Sequence, residues 1–71
     1  NEKIFDEIAS FVLESVDKTH LYALFMRKSS GDDGDITVCP IFKRRIDILP
    51  WARKLIAHFP RVKSVLLGIF T

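Results

Sequence analysis

The sequence has 71 residues, of which 48% are hydrophobic and 28% are charged, with a formal net charge of +2. This composition is typical of one small folded domain, and it excludes disordered, collagen-like and low-complexity chains. The longest apolar stretches fall far short of the roughly 20 residues that a membrane-spanning helix needs, and the single cysteine, Cys39, excludes an internal disulfide and favours the reducing cytoplasm.

The first predicted element is an amphipathic helix over about residues 2–15. Acidic side chains crowd its first turn, where they suit the positive end of the helix dipole. Apolar side chains recur at helical spacing, and they are Ile4, Phe5, Ile8, Val12 and Val16. One face of this helix therefore needs a partner to cover it.

Two predicted strands follow and are joined by a short loop, which indicates a hairpin. Residues 20–27 are apolar on both faces, as is typical of a strand inside a sheet. Residues 29–34 are rich in serine, aspartate and glycine and predict the loop, and residues 35–42 predict the second strand. Because Pro40 cannot donate a hydrogen bond to a neighbouring strand, we expect this strand at an edge of the sheet.

A second helix and a third strand complete the chain. Pro50 suits the first turn of the helix, Pro60 ends it, and residues 63–70 predict the strand. A right-handed crossover is expected to bring this strand beside the first one. The sequence thus predicts an α+β fold, an αββαβ two-layer sandwich with a three-stranded antiparallel sheet of order 2-1-3 and two helices on one face.

The opposite face of this sheet is expected to stay open and apolar. Hydrophobic residues occupy both sets of alternate positions in the first strand, which predicts a partner on the open face, either the remainder of a parent chain or a second copy. The chain starts without Met and ends just after Ile69 and Phe70, inside a predicted strand. We interpret residues 1–71 as a single small domain from a longer protein.

Charge is distributed unevenly along the chain. Residues 1–35 carry four cations against eight carboxylates, a net charge of −4, whereas residues 36–71 carry seven cations against Asp47 alone, a net charge of +6. Such polarity indicates contact with a polyanion such as RNA, although an acidic half can also simply neutralise a basic one. The candidate RNA-binding residues are Lys43, Arg44, Arg45, Arg53, Lys54, Arg61 and Lys63.

No motif predicts a catalytic residue or a metal site. Cys39 lies in a predicted strand without the cations that would activate a thiol, so we interpret it as a small buried hydrophobe. His20 and His58 are isolated from other metal ligands, and no glycine-rich phosphate-binding motif is present. Trp51 flanks the apolar stripe of the second helix, where packing against the core, or contact with a further domain, is favoured over stacking on a base.

Several segments together form a pattern that is similar to a known domain. They are Leu24-Phe25-Met26-Arg27, Gly34-Asp35-Ile36-Thr37-Val38, Leu49-Pro50, Ala57-His58-Phe59-Pro60 and Val62-Lys63-Ser64-Val65. In this order they resemble the central, non-catalytic domain of the RNA uracil-5-methyltransferases, which methylate transfer and ribosomal RNA. The resemblance covers nearly all of the chain, but the family continues the last strand into an Asn-rich segment where this chain reads LLGIFT at residues 66–71.

The resemblance implies that the parent protein is a cytoplasmic RNA methyltransferase that uses S-adenosylmethionine. In that family the catalytic cysteine, the base and the cofactor site lie downstream of this domain, and Cys39 does not match the nucleophile. The 71 residues are therefore expected to be no enzyme, to bind no cofactor and to help hold the RNA. Two alternatives stay open, a stand-alone nucleic-acid-binding module and a protein interaction or dimerisation module.

Overall fold

The computed structural model describes residues 3–29 and 34–70 and confirms the α+β class, with helices and strands along the chain close to where the sequence predicts them. The elements are α1 (Lys3–Ser15), β1 (Leu21–Lys28), β2 (Ile36–Phe42), α2 (Leu49–His58), β3 (Val62–Val65) and β4 (Gly68–Ile69). Ser30, Gly31, Asp32 and Asp33 of the predicted loop lie outside the described residues, as do Glu2 at the predicted helix start and Thr71.

The order of the strands differs from the prediction. β2 lies in the centre of the sheet, with β1 antiparallel along one edge and with β3 and β4 parallel along the other. The expected order 2-1-3 and the wholly antiparallel pairing are therefore wrong. The reason is the βαβ connection: α2 runs back along the sheet, so the next strand starts from the same end as β2 and lies parallel beside it.

Pro40 lies in the central strand β2, and its nitrogen faces the edge along which β3 and β4 pair. Even-numbered residues of β2 direct their backbone groups towards β3 and β4. The N–H of Ile36 donates to the carbonyl of Arg61 at 2.9 Å, and the carbonyl of Val38 accepts from the N–H of Leu66 at 2.9 Å. By this alternation the nitrogen of Pro40, which has no hydrogen to donate, faces the same edge.

The neighbouring chain is interrupted where Pro40 offers no donor. β3 ends at Val65 and β4 begins at Gly68, so the single strand predicted over residues 63–70 is divided in two. The prediction that Pro40 marks an edge strand is wrong, because the missing hydrogen bond is accommodated by a break in the partner strand instead.

The core lies on one face of the sheet, beneath both helices, as predicted. Every second residue of β2 is fully buried, namely Ile36, Val38, Pro40 and Phe42. The helices and β3 contribute further residues to the core cluster, which are Ile8, Val12, Leu55, Phe59 and Val62. Trp51 packs against this cluster and is half-buried, in agreement with its interpretation as a core residue.

A short turn connects α1 to β1 and is organised by an aspartate. The carboxylate of Asp17 accepts hydrogen bonds from the backbone N–H and the hydroxyl of Thr19, at 3.0 and 2.6 Å. These bonds, with a smaller contribution from His20, lower the pKa of Asp17. Because the folded-state pKa lies below that of the unfolded chain, the ionised carboxylate stabilises the turn above the usual carboxyl range, and this contribution is lost as the pH falls through the lowered pKa.

Gly34 closes the base of the hairpin, where a β-carbon would overlap the backbone carbonyl of Ser29. That carbonyl cannot shift freely, because the N–H of Ser29 donates to the carbonyl of Asp35 at 2.9 Å. We expect Gly34→Ala to lower the free energy of unfolding by about 1–3 kcal/mol, as measured by urea denaturation. At the control position Gly68 the closest atom to a β-carbon would be the side-chain Cγ1 of Ile41, at 2.9 Å, which can rotate away, and the other neighbours lie at ordinary contact distances of 3.6 and 3.7 Å. Equal losses for the two variants would contradict this account.

Candidate nucleic-acid interface

The seven predicted RNA-binding residues do not form one patch. Lys43, Arg44 and Arg45 lie in the exposed segment that follows β2, whereas Arg61 and Lys63 flank the start of β3 beside Ile36. Ile36 begins β2 and Lys43 directly follows its end, and six residues of this strand separate them, so the two groups of cations lie about 20 Å apart. The fold thus distributes the predicted residues over opposite ends of the sheet.

The remaining two predicted residues, Arg53 and Lys54, lie on the helix side of the molecule. α2 buries Ala52 and Leu55 against the core and leaves Arg53 and Lys54 exposed to solvent. A groove of about 520 Å³ lies between the helices, where the ring of His58 stacks on that of Phe11 with centroids 5.0 Å apart. Its lining residues are Lys3, Asp6, Glu7, Ser10, Phe11, Glu14, His58 and Phe59. With three carboxylates and one lysine, this groove disfavours a polyanion.

A second groove, of about 410 Å³, has the opposite charge and lies at the hairpin end of the sheet. Its lining residues are Arg27, Lys28, Ser29, Asp35, Thr37, Lys63, Ser64 and Leu66. Among these described residues three cations face one carboxylate, and three hydroxyl groups add hydrogen-bond donors. We call this site the hairpin-end groove. Cations and hydroxyls together are the side chains that most often contact nucleic-acid phosphates.

Strand pairing brings the residues of the hairpin-end groove together. Arg27 of β1 lies opposite Thr37 of β2, which in turn pairs with Ser64 of β3, so the three residues form a row across the sheet. At the rim, the N–H of Asp35 donates to the hydroxyl of Ser29 at 2.9 Å. Backbone pairing and this rim bond hold the groove in a defined shape.

Arg61 connects the groove to the hairpin. Its Nη2 donates to the carbonyl of Gly34 at 3.1 Å, and this bond spans 27 residues of sequence. The side chain is partly buried, so its role is to hold the base of the hairpin beside β3. Of the seven predicted residues, only Arg61 and Lys63 lie at this end of the sheet, and only Lys63 lines the groove.

Two groove cations, Arg27 and Lys28, are absent from the predicted set because the sequence counts them within the acidic first half. The distribution of charge over elements reveals them. The four strands that the structure describes contain no acidic residue and three cations, Arg27, Lys28 and Lys63. Among residues 3–29 and 34–70, the acids lie in α1 or in connecting segments, and they are Asp6, Glu7, Glu14, Asp17, Asp35 and Asp47.

The open face of the sheet also exposes aromatic rings, which extend from the Phe42 end of β2 towards the hairpin-end groove. Tyr22, Phe25 and Phe70 are 52%, 57% and 52% exposed. A bulge between Leu21 and Ala23 brings Tyr22 to the same side as Phe25. Tyr22 stacks on Phe70 with ring centroids 4.2 Å apart and an interplanar angle of 1°. Tyr22 lies in β1 and Phe70 directly follows β4, on the two sides of β2, and the two rings meet across the Phe42 end of β2. The exposed apolar face expected from the sequence is therefore present.

Comparison with known proteins identifies no relative of this chain. No protein-family model matches it, and comparisons with curated proteins and with solved structures also find no match. The resemblance to the RNA uracil-5-methyltransferases therefore stays a prediction.

In the part of the chain that the structure describes, no helix is long and apolar enough to cross a membrane, and no group of three histidine, cysteine or acidic side chains is placed to hold a metal ion.

Proposed function

We propose that this chain is a non-catalytic RNA-binding domain whose phosphate contacts lie in the hairpin-end groove. The observation that carries the proposal is the separation of charge between the strands of the sheet and α1. The sheet strands contain cations without acids, whereas α1 carries Asp6, Glu7 and Glu14. A polyanion is thus attracted to the sheet side and opposed on the side of α1.

The chemistry of the groove supports phosphate as its ligand. Arg27 supplies a planar guanidinium that can donate two parallel hydrogen bonds to phosphate oxygens, and Lys28 and Lys63 supply point charges. The hydroxyls of Thr37 and Ser64 stand in the row beside Arg27 and can donate further hydrogen bonds. Asp35 opposes this set with one negative charge, so the lining residues that the structure describes keep an excess of two positive charges.

The resemblance described above supplies a biological context for this proposal. It makes the domain part of a cytoplasmic RNA uracil-5-methyltransferase in which it supports binding of transfer or ribosomal RNA. The resemblance places S-adenosylmethionine and the catalytic cysteine outside these 71 residues, so no residue of this chain is assigned to methyl transfer.

Titration of the 71-residue chain into a fluorescein-labelled single-stranded RNA of mixed sequence tests the proposal. We expect fluorescence anisotropy to report binding at 50 mM salt and progressively weaker binding towards 200 mM. Three phosphate contacts predict a slope of about −2 for the logarithm of affinity against that of salt concentration. Labelled polyglutamate, a polyanion without phosphate, is the control and should bind more weakly. Absence of RNA binding at 50 mM salt, or equal binding of polyglutamate, would overturn the proposal.

A further inference from the structure

The aromatic residues of the open sheet face are not part of the core cluster, and they extend along the sheet from the Phe42 end of β2 towards the hairpin-end groove. Tyr22, Phe25 and Phe70 are each more than half exposed. Tyr22 and Phe70 stack on each other and so cover one face of each ring, and the exposed surface that remains is available to a ligand. We call these three residues the aromatic face. Exposed aromatic side chains that are grouped on one surface indicate a ligand, since solitary ones are ordinary but grouped ones are not.

The aromatic face and the hairpin-end groove form one continuous track along β1. Tyr22, Phe25 and Arg27 follow each other on the open side of this strand, and the five residue steps from Tyr22 to Arg27 span about 17 Å. On the other side of β2, Phe70 stacks on Tyr22 at the aromatic end of the track, and Lys63 lines the groove with Arg27 at the cationic end. An extended ligand lying along β1 therefore meets flat rings first and then positive charge.

Single-stranded nucleic acid has the chemistry that matches such a track. Its bases have exposed faces that stack on aromatic side chains, and its backbone carries a negative charge at every nucleotide. A duplex offers no free base faces, because its bases are already stacked within the helix. The combination of rings with cations thus selects for single strands over duplexes.

A second copy of this chain fits the same face less well. A symmetric dimer that buries the whole open face would enclose Arg27, Lys28 and Lys63 of both subunits in one interface. The four strands contain no acidic residue, and among the described lining residues of the groove Asp35 alone is available to pair with these three cations. Like charges would therefore oppose self-association through the sheet.

We propose that a single-stranded RNA segment lies along the open face of the sheet, with its bases stacked on Tyr22, Phe25 and Phe70 and its phosphates at Arg27 and Lys63. This inference rests on the proposed RNA-binding function and adds the class of RNA and the residues that select it.

The double variant Tyr22→Leu with Phe25→Leu tests the inference. Leucine keeps apolar surface at both positions but removes the rings, and both side chains are too exposed for the change to disturb the core. We expect the wild-type chain to bind a single-stranded RNA more tightly than a duplex of the same sequence. The double variant should lose at least tenfold in affinity for the single strand and should bind the duplex as the wild type does, and its melting temperature should stay within a few degrees of the wild type.

The other outcomes overturn the inference in distinguishable ways. Unchanged affinity of the double variant for the single strand would remove the stacking role and leave the proposed RNA-binding function intact. Absence of wild-type binding to either RNA would remove the proposed function as well. A wild-type chain that sediments as a dimer, with the double variant as a monomer, would show that the aromatic face is instead a self-association surface.

Discussion

Replacing Phe42 with alanine is expected to lower the free energy of unfolding by about 3–5 kcal/mol. Phe42 is a large side chain with no exposed surface, and it lies at the end of the central strand, where β1 and β4 both pair with it. Neighbours on both edges restrict collapse around the cavity that alanine would leave. A domain of 71 residues has a total stability of about 4–11 kcal/mol, so the loss is a large fraction of it.

Phe25→Ala is the matched control, because it makes the same change on the opposite face of the sheet. Phe25 is 57% exposed, so its truncation should cost less than about 1 kcal/mol. Thermal unfolding followed by circular dichroism should show a loss of about 12 °C or more for Phe42→Ala and only a few degrees for Phe25→Ala. Similar losses for the two variants would contradict the assignment of a buried and an open face.

Reversing two charges in the hairpin-end groove is expected to weaken RNA binding more than tenfold. The double variant Arg27→Glu with Lys63→Glu replaces two phosphate contacts by two repulsive carboxylates on exposed side chains. Fluorescence anisotropy at constant salt measures the change. The slope of affinity against salt should also become less steep, because fewer phosphates are neutralised.

Arg53→Glu with Lys54→Glu is the matched control for charge. It alters the net charge of the molecule by the same amount on the exposed surface of α2, and it should lower affinity less than threefold at physiological salt, where distant charges are screened. Arg44→Glu with Arg45→Glu, beyond the far end of β2, shows how far the RNA extends along the sheet. An equal loss for the groove variant and the α2 variant would mean that net charge, not the groove, governs binding.

The elements of the fold follow from local sequence pattern, but the strand order does not. Helical spacing from Ile4 to Val16, and Pro60 after the second helix, predict those elements close to their observed positions. The prediction of an edge position for the strand that contains Pro40 is wrong, because a missing N–H can be accommodated in two ways, by an edge position or by a gap in the neighbouring strand. Only the pairing of β2 with β3 and β4 shows which of them this chain adopts.

The composition of the site is less predictable than the fold. The sequence shows Lys43, Arg44 and Arg45 as a run of cations, but spacing along the chain does not determine which basic residues share a face of the folded domain. Antiparallel pairing with β2 instead places Arg27 opposite Thr37, 10 positions away in the sequence, and parallel pairing of β2 with β3 adds Ser64, 37 positions from Arg27, to the same row. The bulge that moves Tyr22 to the open face is likewise invisible in a pattern of alternation.

The most direct test of RNA binding on the open sheet face is an NMR titration of the ¹⁵N-labelled chain with a single-stranded RNA, followed through backbone amide shifts. We expect the largest shifts on the open side of the sheet, at Tyr22, Phe25, Arg27, Lys63 and Phe70, with little change along the exposed side of α2 at Arg53 and Lys54. Shifts concentrated on α2, or spread evenly over both sides of the molecule, would contradict the account.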